Sequence, residues 1–102
     1  MAFVCDEEGY LLDATTWTSD FAVQVALGDL DKILSEFDWA MIAFVRDFYQ
    51  LHHMMPLTRR IVSYARMSID GFDSLQLQAN YTRRPLWVLA KLSGLPKPAQ
   101  CI

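Results

Sequence analysis

SEFDWAMIAFVRDFYQL, residues 35–51, decides what kind of fold this chain can adopt. Ser35 followed by Asp38 has the Ser-x-x-acid form of a capping box, which satisfies two orphan backbone amides at a helix start. Phe37, Met41, Phe44, Val45, Phe48 and Leu51 then recur three and four residues apart, the seam of an amphipathic helix. Trp39, Ile42 and Ala43 make other faces apolar as well. This helix is therefore expected at the buried centre of a bundle.

Working outward, Pro56 ends that stretch and Thr58 can cap a further helix with Ile61, Val62, Ala65 and Met67 facing inward. On the other side, Ser19 or Asp20 can cap a helix from Phe21 to about Leu27, stopping at Gly28. Phe3 to Cys5 and Tyr10 to Leu12 are short apolar runs around Asp6-Glu7-Glu8-Gly9, which reads as a β-hairpin. Residues 68–84 stay ambiguous: Asp70-Gly71 reads as a turn, and Leu75 to Gln78 alternates like a strand but also suits a short helix. Pro85 fits the first turn of a last helix, with Leu86, Leu89, Ala90 and Leu92 on its apolar face and Gly94 at its stop. The expectation is a mainly α domain, a small helical bundle with an N-terminal β-hairpin.

The chain has 102 residues, 53% hydrophobic and 13% aromatic, which is too apolar for disorder and suits one domain. No apolar run reaches the roughly 18 residues of a membrane span. The start, MAFVCDEEG, lacks the basic region and apolar stretch of a signal peptide, so the cytoplasm is the expected compartment. Its two cysteines, Cys5 and Cys101, are a poor disulfide framework; Cys5 is expected to pack as a small hydrophobe. Charge is split: residues 1–45 carry nine carboxylates against Lys32 alone, and residues 46–102 carry eight cations against three carboxylates. Two halves lying against each other account for this more simply than an anionic partner. His52 and His53 are adjacent and point about 100° apart on a helix, so they cannot share a metal. No metal site, cofactor or hydrolytic nucleophile–base pair is expected.

Gly94-Leu95-Pro96-Lys97-Pro98, with Cys101 three residues on, resembles the tail of the TusE/DsrC family of sulfur-relay proteins. Phe44-Val45-Arg46-Asp47-Phe48-Tyr49 matches a central family motif. Glu8-Gly9-Tyr10-Leu11 with Trp17, and Pro56-Leu57-Thr58-Arg59, match two more. The resemblance implies a single domain over residues 1–102, with residues 94–102 as a flexible C-terminal arm bearing the catalytic Cys101. It implies that Cys101 accepts persulfide sulfur and relays it, in tRNA 2-thiouridine synthesis, as a carrier of sulfurtransferase type rather than a stand-alone enzyme. The implied partners are a sulfur-donor complex resembling TusBCD and an acceptor thiouridylase with tRNA. Gly94, Leu95, Pro96, Lys97 and Pro98 would serve as arm and partner-binding residues. Arg46 and Arg59 are candidates for docking the arm or a partner.

This chain also departs from the family pattern. Asp38-Trp39 stands where His-Trp is usual, Arg84-Pro85-Leu86-Trp87 replaces a G-P-x-K element, and Lys91 occupies the place of a second arm cysteine. An intramolecular arm disulfide is thereby excluded, which points to the one-cysteine, TusE-like side. The alternative function is a DsrC-like regulatory or interaction protein binding nucleic acid through Arg59-Arg60 and Arg83-Arg84.

The chemistry explains the placing of the thiol. Relay needs a thiolate that attacks the outer sulfur of one protein's persulfide and then enters a second protein's pocket. A projecting arm can do both, and Pro96 and Pro98 keep it extended at low entropic cost. An ordinary cysteine titrates near 8.5, so Cys101 is expected to be only mildly activated until a partner's pocket receives it.

Overall fold

The computed structural model describes residues 3–98. Cys101 and the outer part of the arm lie outside the described residues. Five α-helices carry the fold: α1 (Ser19–Val25), α2 (Glu36–His52), α3 (Thr58–Arg66), α4 (Ser74–Tyr81) and α5 (Pro85–Leu92). Helix α5 packs against α1, α2 and α4, and α3 packs against α4. The expected mainly α bundle is thus present.

The capping box predicted for α2 forms as read. Ser35 Oγ accepts the Asp38 N–H at 3.3 Å, and Asp38 Oδ2 accepts the Ser35 N–H at 2.9 Å. The buried stripe of α2 is Asp38, Met41, Ile42 and Val45. That stripe is narrower than the predicted seam. Phe37, Phe44 and Phe48 are only partly covered, and Leu51, in the last turn of α2, is 76% exposed.

Four local readings are corrected. The N-terminal hairpin reduces to one antiparallel bridge, Cys5 with Leu11, and no sheet forms among the described residues. Two backbone bonds, Asp6 N–H to Tyr10 O at 2.8 Å and Leu12 N–H to Val4 O at 3.0 Å, are too few to sustain strands without a third. Gly28 does not stop α1. The chain runs through it as a π turn (Ala26–Leu30) and stops at Asp31, whose φ is 50°. Thr58 is the first residue of α3 rather than its cap, which is Leu57, and Met67 points outward with 82% exposure.

The ambiguous segment resolves as helix. Asp73 and Gln76 make a second capping box, with Asp73 Oδ1 accepting the Gln76 N–H at 3.0 Å. Local capping outweighs the alternation of Leu75 to Gln78, and Leu77 and Tyr81 become fully buried. Gly71 takes φ 74° in the turn before it.

Candidate functional site

Helix α5 leads into residues 93–98, and its C-terminal end is fully capped. A helix leaves its last carbonyls without donors. Here five successive carbonyls find one each. Leu89 O accepts from the Ser93 N–H at 3.0 Å, Ala90 O from Leu95 N–H at 2.9 Å and Lys91 O from Gly94 N–H at 3.2 Å. The last two bonds form a Schellman motif, with Gly94 supplying the left-handed residue at φ 70°. Leu92 O accepts the indole N–H of Trp17 at 2.8 Å, and Ser93 O accepts Nη1–H of Arg46 at 2.7 Å.

Trp17 and Arg46 also meet each other. The guanidinium stands 4.1 Å from the indole centroid, within cation–π range. Partial burial pulls the Arg46 pKa below its ordinary value, with Asp47 opposing, yet a guanidinium stays charged at any working pH. A cation at a helix C-terminus is also favoured by the helix dipole. Gly94 closes the arrangement: a Cβ there would come within 2.5 Å of the Trp17 ring.

Past this cap, Leu95 turns inward and is 3% exposed, the last member of the core. Pro96 and Lys97 are exposed. Lys97 Nζ reaches Glu8 Oε2 at 2.9 Å and stands 4.2 Å from the Trp87 ring centroid. The Arg84 guanidinium stands at the same 4.2 Å from that ring. A groove of about 410 Å³ opens beside this contact and includes Glu8, Tyr10, Trp87 and Lys91 in its walls. Burial first, then Glu8, Asp6 and Asp29, push the Tyr10 hydroxyl up to about 12, so it is neutral at physiological pH. A larger groove of about 740 Å³, between the N-terminal turn and α1, is lined by Phe3, Leu12 and Val23 and bears no thiol, amine or imidazole. Size is a poor guide here, because the arm's base lies elsewhere.

The sequence-predicted residues separate accordingly. Gly94 to Pro98 form one continuous feature, and Arg46 sits at its base. Arg59 is exposed on the first turn of α3, with no hydrogen bond or ion pair to the arm among the described residues. Cys101 lies outside the described residues, and Cys5 is a free, partly covered thiol. Lys91 pairs with Asp29. The sequence places Trp17 and Glu8 in one family motif and gives no sign that either meets the end of α5 or the residues beyond it. Their contacts span 75 and 89 residues, and no local spacing signals them.

Comparison with known proteins follows the same outline. The chain is 38% identical over 100 residues to a protein of Haemophilus influenzae named a sulfurtransferase TusE homolog, covering 95% of this chain and 90% of that one. It is 31% identical over 99 residues to sulfurtransferase TusE of Salmonella choleraesuis, with the same coverage. Among solved structures, DsrC of Allochromatium vinosum superposes with a TM-score of 0.78 at 27% identity, covering 98% of this chain and 90% of that one. The oxidized gamma-subunit of the dissimilatory sulfite reductase (DsrC) from Archaeoglobus fulgidus shares the fold, with a TM-score of 0.85 at 23% identity, covering 98% and 92%. The family model described as DsrC like protein matches residues 1–102, and the chain belongs to that family.

Proposed function

We propose that this protein is a sulfur-relay carrier in the cytoplasm that loads persulfide sulfur on Cys101 and passes it on for 2-thiouridine synthesis in tRNA. The observation that carries this reading is the match to relatives named sulfurtransferase TusE over 95% of the chain, together with the Gly-Leu-Pro-Lys-Pro-x-x-Cys stretch at residues 94–101 of this sequence. The donor is a complex resembling TusBCD, and the acceptor is a thiouridylase holding tRNA. Gly94 to Pro98 form the arm. Arg46 anchors its base through the Ser93 carbonyl, while exposed Arg59 is left for a partner.

The transfer step balances without an external oxidant. The Cys101 thiolate attacks the outer sulfur of a donor persulfide, a new S–S bond forms, and the donor's own S–S bond breaks to leave a thiolate. Cys101 then carries one sulfane sulfur and hands it on by the same exchange in reverse roles. A rigidly capped α5 suits this chemistry, since the arm needs a fixed origin from which to enter two partners in turn.

The test is intact mass after incubation with a cysteine desulfurase and cysteine, with relay partners present. One added sulfur atom, lost in Cys101→Ser and kept in Cys5→Ser, is the expected result. No added sulfur, or sulfur that survives Cys101→Ser, ends the proposal.

A further inference from the structure

We propose that Glu8 and Trp87 are positioning residues for Cys101: by holding Lys97 they set how far the thiol can reach. This rests on the relay reading, because reach matters only if Cys101 must enter a partner.

The arm has two points of attachment of unequal strength. The first is Leu95, buried in the core and bonded through its N–H to Ala90 O at 2.9 Å. The second is Lys97, held by Glu8 at 2.9 Å and lying over the Trp87 ring at 4.2 Å. Glu8 and Lys97 side chains are 58% and 34% exposed, so their pairing is screened by water and salt. An exposed ion pair and an exposed cation–π contact each bias the held state by at most about fivefold. The first attachment survives ordinary fluctuation. The second is weak enough for a partner to undo.

Chain geometry gives this difference a consequence. From a held Lys97, four residues lead to Cys101, an extended span of roughly 13–14 Å. From Leu95, six residues lead there, roughly 20–22 Å. Releasing Lys97 therefore lengthens the tether by about half without disturbing the fold. A partner that offers Lys97 a better carboxylate, or covers Trp87, extends the thiol as it binds.

The measurement is electron paramagnetic resonance of a nitroxide attached to Cys101 in a Cys5→Ser background. In the parent at low salt a slow-motion component dominates. Glu8→Gln raises the ratio of mobile to slow label about three- to fivefold, and Lys97→Arg, which keeps both contacts, does not. Molar sodium chloride mobilises the parent label and adds little in Glu8→Gln. Equal spectra for parent and Glu8→Gln overturn the inference, as does an equal salt response in both. Thermal melting confirms that each variant is folded. The readout needs no sulfur donor. A mobile Glu8→Gln label in a protein that never gains sulfur would refute the relay reading while leaving the attachment of Lys97 to Glu8 established.

Discussion

At Asp38 a carboxylate that is 1% exposed gathers three partners, two from the connection before α2 and one from α4. Oδ1 accepts the Tyr81 hydroxyl at 2.6 Å, and Oδ2 accepts the Ser35 N–H and faces Lys32 Nζ, each at 2.9 Å. Burial alone would raise its pKa. The Ser35 amide, the Tyr81 hydroxyl and Lys32 outweigh that, and the carboxyl titrates below its ordinary value. Burial and the same carboxylate push the Tyr81 hydroxyl far up, so it stays a donor. A depressed folded-state pKa means stability that is present at neutral pH and lost as pH falls below the ordinary aspartate value near 4. Asp38→Asn is expected to cost about 2 kcal/mol at pH 7, since it removes the charge facing Lys32 and sets a donor amide against the Ser35 N–H or the Tyr81 hydroxyl. It should also flatten the stability curve on the acid side, read by urea titrations between pH 7 and pH 3. An acid limb as steep as the parent's would contradict the assignment. The sequence marked Asp38 as a helix cap and as a departure from the family pattern; the Tyr81 partner, 43 residues away, was invisible in it.

Among the elements, the turns on either side of α5 make opposite predictions. Thr82 precedes the helix at φ 71° and ψ −175°, a region that is essentially glycine's alone. Relief of that strain outweighs the added freedom of the unfolded chain, so Thr82→Gly should stabilise by about 1 kcal/mol. Gly94 follows the helix at φ 70°, with the Trp17 ring filling the space a Cβ would need. Gly94→Ala combines left-handed strain with loss of the Trp17 bond to Leu92 O, about 3 kcal/mol in all. Denaturant midpoints decide both, and equal midpoints for the two variants would refute the account. Gly94 was legible in the sequence because glycine after a helix pattern is a local signal. Gly28 gave the same signal and misled. Ala26 O accepts from the Lys32 N–H at 3.2 Å, so the chain turns once more before stopping at Asp31.

On the scale of the whole molecule, the acidic and basic halves meet at two of the three ion pairs among the described residues, Lys91 with Asp29 and Lys97 with Glu8. Both involve partly exposed groups and add little stability. The core ends at Leu95, so removing residues 96–102 should lower the melting temperature by no more than about 5 °C. Removing residues 93–102 takes the Schellman motif, the Arg46 acceptor and a buried leucine, and is expected to leave a chain that does not fold cooperatively. Calorimetry on the two truncations separates them. A large loss in the shorter truncation would mean the outer arm belongs to the fold.

The sequence by itself determined α1, α2, α3 and α5 and left α4 open between helix and strand. Caps such as Ser35 with Asp38, punctuation such as Pro85 and Gly94, and a thiol beyond two prolines act between near neighbours and need no tertiary context. Only the folded chain decided that Trp17 and Arg46 close the end of α5, that Asp38 reaches Tyr81, and that Glu8 meets Lys97. Those partners are 43 to 89 residues apart, and their contacts exist once packing places the helices, because a side chain's reach is a few ångströms and its neighbours along the chain do not say what lies across the bundle.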